Sequence, residues 1–363
     1  MATQGVGIVA REAKAPLRVE ELIVDDPGPG EVLVRVQASG VCHTDHHIKQ
    51  GNIEGYLPCL LGHEGAGIVE KAGAGVSSPK EGDYVILAWR APCGRCRSCL
   101  RGLPQLCFDS LKAQRRMHTG DGNYPQPALG IGTFCSHTVV AASQAIVVST
   151  EIPPEQACLI GCGVMTGVGA ALYTACVRLG STVVVFGCGG VGSSVIQGAR
   201  LAHARQIIAV DLDQRKLEWA KTFGATHTVN PRDGDAVQHI RDLTGGLGAD
   251  YTFDAVGLPQ TLQQALAARD LAGVCTLIGV PNTGTRVELP MDEVFSRGGS
   301  LRVSWYGDCL PSRDFPLLAG WYKSGELKLD ELITRRIELR ETDAAFEAME
   351  RGETLRSVIV LPS

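Results

Sequence analysis

The hydrophobic positions of this chain change style near its middle. From Val6 to about Leu87 they form short runs, such as Glu31-Val-Leu-Val-Arg-Val-Gln37 and Gly67-Ile-Val-Glu70, broken by Pro-Gly and Gly-rich turns. That pattern predicts a mostly β region. Between Pro92 and Cys107 the periodicity stops and four cysteines fall within sixteen residues, so this segment needs a staple other than a core. Beyond about Thr166, Ser181-Thr-Val-Val-Val-Phe186 reads as a buried strand, followed by a glycine cluster and a helix ending near Ala202. Gln206–Val210 repeats the strand and Asp213–Phe223 the helix, with Gly224 as its stop. Tyr251–Val256, Pro259–Leu271 and Val274–Gly279 continue the alternation. Strand and helix alternating at this rhythm predict an α/β region, a doubly wound parallel sheet with helices on both faces. From about Ser304 to Ser363 the pattern is mixed.

The long uncharged stretch from Gln156 to Val177 reaches membrane-spanning length. It contains Gly161, Gly163, Gly167 and Gly169 and lacks flanking aromatic anchors, so it reads as a buried loop running into a packed helix. Composition sharpens the picture: 363 residues, 44% hydrophobic and 20% charged, with a net charge of −5. This argues against disorder, collagen and a basic nucleic-acid-binding surface, and the length suggests two domains. Thirteen cysteines, an odd number, with no charged and then apolar leader over Met1–Val9, argue against a disulfide-stapled exported protein. The expected setting is a reducing cytoplasm with thiols free for metal.

Gly187-Cys-Gly189-Gly190-Val191-Gly192 follows the apolar strand directly and opens a helix, and Asp211 lies nineteen residues beyond Gly192 at the end of the next strand. Those elements make up a dinucleotide-binding fingerprint. Gly187 permits the turn, Gly189 lets backbone approach a pyrophosphate, and Gly192 lets helix and strand pack closely. The diphosphate rests on a helix N-terminus, and Asp211 accepts from both ribose hydroxyls while repelling a 2′-phosphate, which favours NAD over NADP.

Cys93, Cys96, Cys99 and Cys107 are spaced to converge on one tetrahedral ion. Zinc leads, because all-thiolate sites are closed and structural; an iron–sulfur cluster competes, although the ferredoxin run has a shorter last gap and a proline where Phe108 stands. A second set is dispersed: Cys42-His43-Thr44-Asp45-His46-His47, then Gly62-His63-Glu64, then Gly161-Cys162-Gly163. Spacing alone leaves open whether His63 is a core histidine or a ligand, and whether Cys162 is an inert buried thiol.

Gly62-His63-Glu64-Gly65-Ala-Gly67-Ile-Val, the four-cysteine lobe and the glycine fingerprint, in this order, resemble the zinc-dependent alcohol dehydrogenases of the medium-chain dehydrogenase/reductase superfamily. Within it, Trp89-Arg90-Ala91, Pro127–Gly132, Ser296–Gly299, Ser304-Trp-Tyr-Gly-Asp308 and Leu355–Val358 are similar to the mycothiol-dependent formaldehyde dehydrogenases. The resemblance implies a GroES-like catalytic domain over 1–165 with its zinc lobe at 92–108, a Rossmann NAD-binding domain over 166–303, and a return to the catalytic domain over 304–363. It implies two zinc ions per chain. Cys42, His63 and Cys162 match the ligands of the catalytic ion, with Glu64 as an acid that approaches it. Asp45 matches the group that holds His63, Thr44 the hydroxyl that receives the substrate proton, and His47 the outer end of that relay. His43 and Arg356 match pyrophosphate contacts, Lys216 an adenosine-ribose contact, Thr166 a contact near the nicotinamide. Trp89 and Phe134 match pocket positions, where plain core packing is the other reading. The remaining cysteines, Cys59, Cys135, Cys158, Cys176, Cys188, Cys275 and Cys309, are expected to pack as small apolar residues.

The implied reaction is reversible oxidation of a primary alcohol to an aldehyde, with hydride passing to NAD. An S-(hydroxymethyl)mycothiol substrate is the alternative, weakened because His47 and the segment His46–Leu60, with its additional Cys59, depart from that subgroup. A non-catalytic NAD- and metal-binding regulator is a third reading, disfavoured by the intact Cys42, His63 and Cys162. The expected partners are small molecules, with neither nucleic acid nor membrane, and a homodimer or larger homo-oligomer is expected through the edge of the cofactor-domain sheet.

Overall fold

The computed structural model describes residues 2–362. Two compact units are present, Met1–Cys162 with Leu310–Ser363, and Gly163–Cys309. The boundaries expected from the sequence are 165/166 and 303/304, and those of the compact units are 162/163 and 309/310.

In the first unit Glu31–Gly40 is almost wholly buried and is the spine of a seven-stranded sheet. Gly65–Ala72 pairs antiparallel along one side of it, setting Ser39 opposite Gly65. Arg356–Val360, from the far end of the chain, pairs antiparallel near its carboxyl end, setting Val358 opposite Gly40. The return of the C-terminal segment is therefore a strand added to the N-terminal sheet. A second sheet of five strands includes Thr3–Ala10 and Val19–Val24. Their shared apolar faces bury Ile8, Val36, Leu61, Phe134, Phe346 and Ile359 in one cluster.

The second unit is a six-stranded parallel sheet, ordered His227–Val229, Gln206–Val210, Thr182–Phe186, Ala249–Asp254, Arg269–Leu277, Ser300–Val303. The first strand in sequence lies third in space, so the order reverses beside it. That reversal is the switch point at which ligands meet the carboxyl edge of such sheets. Thr182–Phe186 and Gln206–Val210 are buried throughout, as their uninterrupted apolar runs require when helices cover both faces.

Three expectations change. The helix expected over Pro259–Leu271 spans Pro259–Ala267, and the next strand begins at Arg269. The Arg269 guanidinium donates to the carbonyls of Leu266 and Gly273, ending the helix and fixing the strand entrance, while Leu271 is left exposed. The stretch read as a loop before a helix is helical throughout Pro154–Thr174, and 78% of its most apolar window is buried. It is long and apolar enough to cross a membrane, but that apolar surface is consumed in packing. Cys176 is exposed, with φ +54°, whereas the other six remaining cysteines are buried as expected.

Candidate active site and metal centres

The helix His43–Lys49 starts at Cys42 and buries Asp45, His46 and Ile48. Asp45 Oδ1 accepts from the Gly62 backbone N–H at 2.8 Å, and Oδ2 lies 2.9 Å from His63 Nδ1, with both side chains wholly buried. The acid thus turns the ring so that Nε2 points away from it. Cys42, His63, Glu64 and Cys162 bring one donor atom each within 4.8 Å of one another. Glu64 Oε1 is buried there with no hydrogen-bond partner among the described residues, and the His63 ring also hydrogen-bonds Cys42. Two sulfurs, an imidazole lone pair and a carboxylate at the margin fit a zinc ion that keeps one position open.

Cys162 reaches this cluster from a π-turn, Ile160–Val164, inside the helical segment. Such a turn widens the helix locally and redirects a side chain, and it is enriched at functional sites. Over 161–170 only Cys162 and Thr166 are partly exposed.

The charges in the cluster are strongly coupled. A hydrogen bond from Cys162 and the charge of His63 hold the Cys42 thiol well below its usual range, and Cys162, the donor of that pair, is held well above it. Burial works against a charged His63, but Asp45 and Cys42 outweigh it and its basicity is raised. Burial pushes Glu64 up to about 7, opposed by Arg356. Arg356 Nη2 donates to Glu64 Oε2 in a buried ion pair that crosses directly over Gly40. A Cβ at Gly40 would collide with both partners, so the central strand carries glycine there. Sequence reading put Arg356 on a pyrophosphate and missed this pair; the 292 positions between the two residues hide it, and only strand pairing reveals it. The anchoring of the site helix was also missed. His46 lies 5.2 Å from the Phe346 ring and 3.5 Å from Glu350, and Lys49 pairs with Asp343, all on helix Thr342–Glu350.

Cys93, Cys96, Cys99 and Cys107 also gather their sulfurs within 4.8 Å. Backbone N–H groups of Cys93 and Cys96 point at the sulfurs of Cys107 and Cys93, each at 3.3 Å. The Cys99 backbone N–H, onto Cys96, lowers that thiol to about 6, which favours the thiolate a metal needs. Around it lie two short helical turns, Arg97–Leu100 and Pro104–Leu106, and exposed Leu100, Leu106 and Phe108. With so little core, the lobe fits a closed four-sulfur zinc site.

In the second unit Gly187 has φ +88°, and a Cβ at Gly192 would run into the Gly187 carbonyl. Gly189 faces open space and is the N-cap of helix Gly190–Leu201, so the unpaired N–H groups of the first turn, including those of Gly190 and Val191, are free for an anion. Asp211 is held by the N–H groups of Cys188 and Asp213 at 2.8 and 2.9 Å, leaving acceptor capacity on its carboxylate. Lys216 lies in the first turn of the helix Gln214–Phe223. This cradle fits a dinucleotide. Cys188, within the loop, is buried, and burial pushes its thiol well up, away from the thiolate form.

The other expected residues are placed as follows. Thr44 and His47 stand three apart on the site helix, both partly exposed, and His43 is exposed beside them. Trp89 is half-buried and packs against the cluster of Val32, Val85 and Leu87. Phe134 is wholly buried among Ile8, Cys59 and Leu61, which makes it a core side chain.

Residues 28–151 match the alcohol dehydrogenase GroES-like domain, and residues 190–324 match the zinc-binding dehydrogenase domain. The chain is 39% identical to an alcohol dehydrogenase class-3 of Cereibacter sphaeroides, over 97% of this chain and 98% of that one. It is also 39% identical to an S-(hydroxymethyl)glutathione dehydrogenase of Saccharomyces cerevisiae, over 98% and 95%. Among solved structures, an alcohol dehydrogenase zinc-binding domain protein from Burkholderia ambifaria superposes with a TM-score of 0.95 at 34% identity, covering all of both chains. Benzyl alcohol dehydrogenase of Acinetobacter calcoaceticus superposes with a TM-score of 0.92 at 29% identity, covering 99% of this chain and 100% of that one.

Proposed function

The chain belongs to the zinc-dependent alcohol dehydrogenases of the medium-chain dehydrogenase/reductase superfamily, NAD-dependent oxidoreductases, and from that premise we propose that it interconverts small or aromatic primary alcohols and their aldehydes. One observation carries the reading: the sulfurs of Cys42 and Cys162, a ring nitrogen of His63 and a carboxylate oxygen of Glu64 converge within 4.8 Å, and that carboxylate is already engaged by Arg356.

In this proposal Cys42, His63 and Cys162 hold the catalytic ion and Cys93, Cys96, Cys99 and Cys107 the structural one. When bound, zinc supplies Lewis acidity that eases loss of the hydroxyl proton, and NAD accepts the hydride. Asp45 fixes the His63 ring. The Thr44 hydroxyl receives the substrate proton and passes it toward His47, its neighbour one helical turn on. Glu64, raised to about 7 and restrained by Arg356, adds negative charge at the metal margin. Gly187, Gly189, Gly190, Val191 and Gly192 cradle the pyrophosphate; Asp211 and Lys216 take the adenosine ribose; Thr166 meets the nicotinamide; Trp89 lines the substrate pocket.

The names of the S-(hydroxymethyl)glutathione dehydrogenases favour a second reading, a hydroxymethyl-thiol substrate, with mycothiol as one such thiol. Steady-state rates with benzyl alcohol and hexanol, compared with formaldehyde in the presence and absence of mycothiol or glutathione, test both. Turnover of free alcohols supports the first, and strict dependence on a thiol overturns it. All thirteen cysteines being free supports a cytoplasmic setting. Exposed Phe295, Leu301, Val303 and Trp305 around the open edge strand Ser300–Val303 support a homo-oligomer joined there.

A further inference from the structure

The segment that follows the last parallel strand is held in a backbone form that its residues resist. Tyr306, Gly307 and Asp308 have φ of +57°, +64° and +51°. Left-handed backbone is rare for residues with a Cβ, and it persists where the surroundings over-determine it, commonly at ligand sites. Here the restraint is visible. Thr174 Oγ1 lies 2.6 Å from Asp308 Oδ2 and 2.9 Å from Ser304 Oγ. A carboxylate only accepts, so Thr174 donates its single hydrogen to Asp308 and Ser304 donates to Thr174. Thr174 and Ser304 are both buried. Thr174 belongs to a second π-turn, Ala170–Thr174, and its carbonyl accepts from Arg302 at 2.7 Å. Gly307 and Gly169 meet backbone to backbone, and a Cβ on either would strike the other.

The location of this knot gives it a role. The Ser304 N–H donates to the Leu277 carbonyl at 2.9 Å, so the segment leaves the sheet at its carboxyl edge. A dinucleotide lies across that edge with one mononucleotide on each side of the switch point. The glycine loop and Asp211 serve the pyrophosphate and the adenosine side, beside Thr182–Phe186 and Gln206–Val210. The loops after the other three strands are left for the nicotinamide half. A Cβ at Gly307 would also press on the carbonyls of Met165 and Thr166, so the strained turn buttresses the helical turn that carries Thr166.

We propose that Asp308 and Thr174 are positioning residues whose hydrogen bond holds Ser304–Asp308 against the Thr166 turn and thereby shapes the site for the nicotinamide half of the cofactor. The inference rests on the assignment of the NAD site to this edge. The test titrates NADH, and separately ADP-ribose, which lacks the nicotinamide, into the zinc-loaded wild type and the Thr174→Val, Thr174→Ser and Asp308→Asn variants. Thr174→Val is expected to weaken NADH binding about tenfold, the order of effect of one lost hydrogen bond to a charged group, and to leave ADP-ribose binding unchanged. Thr174→Ser keeps the hydroxyl and is expected to restore NADH affinity, with Asp308→Asn between the two. Unchanged NADH binding in Thr174→Val overturns the proposal. So does equal loss of NADH and ADP-ribose binding in both Thr174→Val and Asp308→Asn, because that marks general damage to the unit. Failure of the wild type itself to bind ADP-ribose would instead remove the cofactor-site assignment on which the proposal stands.

Discussion

Asp45 sets how firmly His63 can hold a cation. Its two oxygens are committed to different jobs, one to the Gly62 backbone and one to the imidazole, so the ring's second nitrogen is aimed before any ion arrives. Groups that orient a metal-binding histidine in this way typically contribute a factor of about 10–100 in metal affinity. Asp45→Asn is therefore expected to lower zinc affinity at one of the two sites by about 10–100-fold in competition with a chromophoric chelator, with the second site unaffected. Equal zinc affinity in the variant would show that the acid only packs. Cys42, His63 and Cys162 were nameable from the sequence through family likeness, but their convergence was not. What brings them together is a helix start, a strand edge and a π-turn, none of which has a local spacing signature.

Between residues and fold, the loops at the carboxyl edge of the parallel sheet are tied by one buried acid. Asp254 Oδ1 accepts from Val256 N–H, Gly257 N–H and Thr261 Oγ1, its backbone carbonyl accepts from Ile278 and Gly279, and its Oδ2 is buried without a partner among the described residues. Burial raises its carboxyl pKa against the pull of those donors. With the folded value above the unfolded one, the native state holds the extra proton over the interval between them, so this group's contribution is fully present below about pH 4 and is lost as pH rises through the folded value. Asp254→Asn keeps an acceptor oxygen and cannot ionise. Its Tm relative to wild type is expected to be higher at about pH 7 than at about pH 4, and a difference independent of pH would contradict the assignment. Elements with strong punctuation were legible: the helix Gln214–Phe223 runs from an Asp213 cap to Gly224 at φ +120°, as its residues announce. The start of the strand Arg269–Leu277 was not, because an arginine capping the preceding helix carries no periodic signal.

At the scale of the whole molecule, the β-rich region and the alternating region were readable because hydrophobic period differs between half-buried and fully buried strands. The return of Arg356–Val360 to the first sheet was readable only through resemblance, since a five-residue apolar run has no preferred partner until tertiary packing supplies one. The open edge at Ser300–Val303, with Phe295 90% exposed nearby, is the surface through which copies are expected to join. Phe295→Glu is expected to shift the protein toward monomer in sedimentation velocity, and an unchanged oligomer would place the interface elsewhere.

The central claim is that a metal held by Cys42, His63 and Cys162 is required for alcohol oxidation. Metal content measured together with NADH formation from benzyl alcohol, in wild type and His63→Ala, tests it directly. Two zinc ions per chain in the wild type are expected to fall to one in the variant, with oxidation lost while the lobe ion is retained. Undiminished NADH formation in His63→Ala, or in protein stripped of all metal, would contradict the account.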